Sequence, residues 1–287
     1  MKRVIRLTAA LAVLLPFGGE AEAAYWNLFN FEEETAQPAV YATYATLPDM
    51  LTDSNRTGTF VPAGGAAAEN LVGSGSDGTS YWSLFNFEGE AAQPAVYVTY
   101  TALTDMLGDS NRAGAFAPAG GAAAENLVGS GSDGTTYWSL FNFEEEAAQP
   151  AVYVTYATLL DMLTDDNRTG TFAPAGGAAA ENLVGSGSDG TSYWSLFNFE
   201  GETLQPAVYV TYATLSDMLG DSNRTGSFVP SVTGASAANV VGSGASILPP
   251  ATPVAEPATL AMLGAGLGGL ALGLRRRRAG GAAAVTR

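Results

Sequence analysis

The sequence has no cysteine and no histidine, and its only lysine is Lys2. These absences remove thiol nucleophiles, imidazole general bases, Cys/His zinc sites, Schiff-base lysines and phosphate-loop lysines together. They also leave no disulfide to staple the fold. Positive charge is scarce except at the two ends. Between residues 24 and 250 only Arg56, Arg112, Arg168 and Arg224 stand against 25 acidic residues. So negative a surface repels phosphate backbones, which excludes nucleic-acid binding. Of the usual catalytic machinery only paired carboxylates remain, and the chain reads as a non-enzyme.

What is present begins with hydrophobic residues, 47% of the chain, enough to build a core. Lys2, Arg3 and Arg6 precede an apolar run from Leu7 to Phe17, and Ala21 and Ala23 offer the small residues at which a signal peptidase cuts. Residues 1–23 are therefore expected to be a signal peptide, with the mature chain starting at Ala24. Near the other end, Ala258 to Leu274 is an uncharged apolar run. At about 1.5 Å per residue it extends about 25 Å, close to a hydrocarbon core of about 30 Å. Arg275, Arg276, Arg277 and Arg278 follow it as a membrane-stop that stays on the cytoplasmic side. This predicts a transmembrane helix with its Arg cluster over 258–278 and a tail over 279–287.

The stretch 254–278 resembles the tail of the PEP-CTERM family. Glu256 and Pro257 stand as the sorting signature, then come the apolar span and the basic cluster, with Ala255 in place of the first proline. The resemblance implies an exported protein of a Gram-negative bacterium, recognised by an exosortase and passed to the cell surface. It also implies a setting in which exopolysaccharide is made.

Tyr-Trp pairs at 25–26, 81–82, 137–138 and 193–194 mark a period of 56 residues. Such a period means stacked or blade-like units that bury one another. The repeats are read as 24–80, 81–136, 137–192 and 193–245, followed by a Pro-rich linker over 246–257. Within the third unit, Tyr137 to Phe143 and Ala151 to Tyr156 read as strands. Thr158 to Asp165 reads as a short helix, with Thr158 and Asp161 at capping-box spacing and Leu159, Met162 and Leu163 on one face. Gly170 ends that helix or turns the chain, and Phe172 opens a brief extended piece. The stretch 185–190 reads as a glycine turn. In the last unit Ala245 is read at the place of the turn aspartate. The fold class expected is mainly β, with one short helix per repeat, plus the N-terminal signal helix and the C-terminal transmembrane helix.

Four sets of residues are candidate sites. Asp53 and Asn55 begin a series with the early spacing of an EF-hand loop, repeated at Asp165 and Asn167 and at Asp221 and Asn223. It lacks the acid at the twelfth position and carries an arginine inside, so a helix cap with a polar turn is the stronger reading. The glycine turns ending at Asp77, Asp133 and Asp189 are a second, weaker calcium candidate. The glutamate pairs Glu32/Glu34, Glu88/Glu90, Glu144/Glu146 and Glu200/Glu202 have acid–base spacing but read better as solvated turns. Aromatic sets such as Tyr81, Trp82, Phe85 and Phe87 read as core before sugar-stacking platforms. The expected function is that of an exported, non-catalytic surface or matrix protein, in the cell envelope or released from it. No cofactor is expected, and the partners are the processing enzymes, the membrane and exopolysaccharide. The alternative is a calcium-dependent adhesin or carbohydrate-binding module.

Overall fold

A computed structural model describes residues 24–31, 39–63, 70–87, 95–119, 124, 126–143, 151–175, 182–199, 207–230 and 239–247. The signal peptide, sorting signature, apolar span, Arg cluster and glutamate pairs all fall outside these residues. Among the described residues no helix is long and apolar enough to cross a membrane.

Among the described residues sixteen strands form four antiparallel four-stranded sheets, arranged as blades of a propeller-like ring. The second blade shows the plan. Its inner strand β4 (Leu71–Ser76) pairs with β5 (Tyr81–Phe85), then β6 (Val96–Tyr100), then the short outer strand β7 (Gly114–Phe116). The third blade runs β8 (Leu127–Ser132), β9 (Tyr137–Phe141), β10 (Val152–Tyr156), β11 (Gly170–Phe172). The fourth runs β12 (Leu183–Ser188), β13 (Tyr193–Phe197), β14 (Val208–Tyr212), β15 (Gly226–Phe228). The first blade is composite. Its inner strand is the last in the chain, β16 (Val240–Ala245), which pairs with β1 (Tyr25–Phe29) ahead of β2 (Val40–Tyr44) and β3 (Gly58–Phe60). The 56-residue period is thus out of phase with the blades.

Strand alternation explains why a single unit cannot bury itself. Along β5, Tyr81 and Phe85 pack toward the first blade, against Trp26, Leu28 and Tyr41. Trp82 and Leu84 point the other way and meet Leu127, Phe141 and Tyr156 of the third blade. Both faces of the sheet are covered, so these strands read as nearly continuous apolar runs. The four cores lie between blades, and the fourth joins the last blade to the first. All four tryptophans are fully buried.

Among the described residues four short helices sit between the third and outer strands: α1 (Leu47–Thr52), α2 (Leu103–Leu107), α3 (Leu159–Thr164) and α4 (Leu215–Leu219). The capping-box expectation holds for α3, where Thr158 Oγ1 accepts from the Asp161 backbone N–H at 3.2 Å. Met162 and Leu163 are buried, and Leu159 packs against the same core. The helix ends at Asp165 in the left-handed region, φ 56°. Gly170 therefore does not stop it, but instead begins the outer strand.

Three expectations need correction. The stretch 185–190 is no turn: residues 183–188 form the inner strand, and the turn is Asp189 to Ser192. Glycine is required there by packing. A Cβ on Gly187 would lie 2.6 Å from the Trp194 indole, whereas one on Gly185 would only reach ordinary contact, 3.4 Å, with the Gly242 Cα of the adjacent inner strand. The second correction concerns Ala245. Strand register pairs Ala245 with Tyr25 as it pairs Ser188 with Tyr193, so the turn aspartate's place belongs to Ser246. Ser246 and Ile247, expected to open the linker, are buried parts of the ring.

Candidate functional site

Each arginine of the repeats is committed locally. In the third blade, Arg168 donates to Asp165 through Nε at 2.8 Å and Nη2 at 2.5 Å. Tyr156 donates its hydroxyl to Asp165 Oδ1 at 2.6 Å, and the guanidinium lies 5.9 Å from the centre of the Phe141 ring. The Asp165 side chain is 3% exposed while that of Arg168 is 46% exposed. The same cluster recurs as Tyr44, Asp53, Arg56 and Phe29; as Tyr100, Asp109, Arg112 and Phe85; and as Tyr212, Asp221, Arg224 and Phe197. The hydrogen bonds to Asp165, Asp109, Asp221 and Asp53 raise the pKa of each partner arginine above its ordinary value. Burial works against Asp221, but Arg224 and Tyr212 outweigh it and hold that carboxyl below the ordinary value.

This geometry does not assemble the calcium candidates. Asp53 is turned onto Arg56 and Tyr44, whereas Asn55 donates instead to Asp49 at 2.7 Å. Asn167 and Asn223 likewise donate to Asp161 and Asp217. Asp53 and Asn55 both adopt positive φ, 47° and 49°, the left-handed conformation that short polar side chains tolerate. The loop is a helix cap and polar turn. Among the described residues no group of three or more acidic side chains is placed to hold a metal ion.

The aspartates of the inner turns have a structural partner too. Asp77 accepts from Thr79 N, Thr79 Oγ1 and Ser80 N, closing an Asx-type turn, and from Tyr137 of the next blade at 2.9 Å. Burial tends to raise the Asp77 and Asp133 carboxyls, but these donors outweigh it and hold both below the ordinary value. Tyr193 reaches Asp133, and Tyr25 reaches Asp189. Around the ring the fourth member is Tyr81 with Ser246, 2.9 Å apart.

The axis itself is narrow. Gly73, Gly129, Gly185 and Gly242 approach one another there, and the space between the Ser74–Ser76 segment and its counterparts is about 10 Å³, room for about one water. Ile247 sits among the turn glycines, its side chain 3.4 Å from where a Cβ of Gly190 would lie. The aromatic sets are core and not platforms. Trp82 and Phe85 are buried, and Tyr81 packs against the Trp26 ring at 6.4 Å. The glutamate pairs lie outside the described residues. The strands flanking them, such as β5 and β6, meet at Phe85 and Val96, the end of the ring away from Ile247.

No family model matches the chain, and no curated protein matches it. Among solved structures it is similar to a phage phi92 endosialidase, with 8% identity and a TM-score of 0.35 over 71% of this chain and 37% of that one. It is also similar to an exo-beta-1,3-galactanase from Phanerochaete chrysosporium, with 12% identity and a TM-score of 0.38 over 72% of this chain and 47% of that one. This chain spans less than half the length of either. Likeness at this level carries no argument about activity or substrate.

Sequence reasoning missed the network that joins the blades. Each tryptophan N–H crosses to the next inner strand: Trp26 to Ser74, Trp82 to Ser130, Trp138 to Ser186 and Trp194 to Ser243, all at 2.8–2.9 Å. Asn30, Asn86, Asn142 and Asn198 reach the backbone carbonyls of Leu71, Leu127, Leu183 and Val240 in the same direction. The recurrence of Trp and Ser at fixed offsets was the available signal.

Proposed function

We propose that the protein is an exported, non-catalytic scaffold of the cell surface or extracellular matrix, a closed four-bladed ring held by its C-terminal tail. Signal peptidase cuts the chain after Ala23, and an exosortase cuts it near Glu256 in its PEP-CTERM-like tail. The observation that carries this reading is the meeting of the two ends of the ring. The Ser246 N–H donates to the Ala24 carbonyl at 2.7 Å. The ring is thus complete from the first residue after the expected signal peptide to Ile247. Everything needed for export and tethering lies outside it, and the tyrosines, tryptophans and Asp–Arg pairs within it serve blade packing.

Intact mass and cell fractionation of the native protein test this, with and without the exosortase. A surface product running from Ala24 to about Glu256 is the expected result. An uncut chain in the membrane, held by Ala258 to Leu274, overturns the sorting claim and leaves a plain C-terminal anchor.

A further inference from the structure

Three departures from the repeat gather where the ring closes. In the second, third and fourth blades the inner strand runs into its neighbour through a short turn, Asp77 to Ser80, Asp133 to Thr136 and Asp189 to Ser192. In the first blade no turn joins β16 to β1, because the two strands come from opposite ends of the ring sequence. At that junction the side chains change. Ser83 pairs with Val98, Ser139 with Val154 and Ser195 with Val210, but Asn27 pairs with Ala42. The longer polar residue is matched by a smaller partner.

The exchange keeps the tyrosine contact across the closing interface and adds a hydrogen bond within the first blade. The three serines meet Tyr41, Tyr97 and Tyr153 of the preceding blade at 3.2–3.3 Å, one of them being the Ser83–Tyr41 contact. Asn27, fully buried, accepts from Tyr209 of the last blade at 2.8 Å and donates to the Met50 carbonyl at 3.0 Å. The third departure is Ile247, which takes the place held by Gly78, Gly134 and Gly190 in the other copies. Those glycines have φ of 86–88°. Ile247 is 8% exposed, and the space beside it is shared with all three glycines.

We propose that Asn27, Ala42 and Ile247 form a latch at the closing junction, Asn27 tying β1 to the last blade and Ile247 seating the end of β16 among the turn glycines, in place of the turn that secures every other inner strand. An unlinked strand pair loses its partner more readily than a hairpin does, since reclosing it costs the entropy of bringing distant residues together. Extra buried hydrogen bonds and a buried aliphatic side chain at that junction offset this. The proposal stands on ring residues alone and does not depend on how the tail is processed.

Hydrogen exchange read by mass spectrometry on the full chain tests it. In the unaltered protein, β16 and β1 should be as protected as β8 and β9 despite the missing turn. The double substitution Asn27→Ser/Ala42→Val installs the pair already found in three blades. It should speed exchange of β1 and β16 by about tenfold while leaving β8 and β9 unchanged. Ile247→Gly should do the same independently. An unaltered protein whose β16 exchanges much faster than β8 overturns the proposal. So does a double variant whose exchange is unchanged, or equally faster in every blade.

Discussion

The indole N–H of Trp138 ends on the hydroxyl of Ser186, 2.9 Å away and in the next blade. The ring rests on this relation, because each tryptophan belongs to one sheet and finds its polar partner in another. Ser186→Ala leaves a buried N–H without an acceptor, at a cost of about 1–3 kcal/mol. Urea unfolding should show the loss as a lower midpoint with an unchanged slope. Gly131→Ala acts on the same ring from its own blade, since the added Cβ would fall 2.5 Å from the Trp138 indole. Overpacking of this kind costs about 1–3 kcal/mol.

One helix lacks a device the other three possess. Thr46, Thr158 and Thr214 cap α1, α3 and α4, but α2 starts at Ala102 with no side-chain cap. Asp105 already stands where the reciprocal partner is needed. Ala102→Thr should therefore stabilise the protein by about 1 kcal/mol, read as a rise in Tm.

Arg168→Ala should destabilise out of proportion to the exposure of the arginine. Its partner Asp165 is almost wholly buried and would keep only the Tyr156 hydroxyl among its side-chain donors. The expected loss is about 1–3 kcal/mol, and Arg168→Lys should recover part of it, having charge without the two-pronged geometry. Equal losses from the two substitutions would show that the fork itself is what matters.

Alkaline pH should open the ring. Tyr41, Tyr97 and Tyr153 are fully buried, and burial pushes their phenols from 10.0 up to about 12, against the opposing pull of serine hydroxyls. A folded pKa above the unfolded one means stability that is complete below the unfolded value and lost as pH rises through the folded one. Tm should fall between pH 10 and 12, and tyrosinate absorbance should appear together with the loss of tertiary signal.

Calcium is the cheapest discriminator between a scaffold and a calcium-dependent adhesin. With Asp53, Asp165 and Asp221 engaged by arginine, millimolar calcium should shift Tm by less than about 1 °C. A rise of several degrees would locate a calcium site elsewhere and favour the adhesin.

Much of each blade could be read from residue order. Tyr137 to Phe141 and Val152 to Tyr156 announce strands by β-branched and aromatic content, and Thr158 with Asp161 announces a capped helix. The inner strand did not announce itself. Alternating glycine and serine carry low strand propensity, and the reason for them is tertiary: four strands crowd one axis, and an indole lies on each second glycine. The polar turn after each helix was legible because an arginine inside it argues against a cation. The latch was visible only as odd letters, Asn27 and Ile247, until the closing register gave them a common place.

The offset between repeat and blade bears on heredity. Each 56-residue segment starts with the second strand of one blade and ends with the first strand of the next. Recombination among such similar segments removes or inserts whole segments from the middle. The terminal strands, with Asn27 at one end and Ile247 at the other, survive every such event. The gene can therefore change its number of copies without rewriting the means by which the circle is joined.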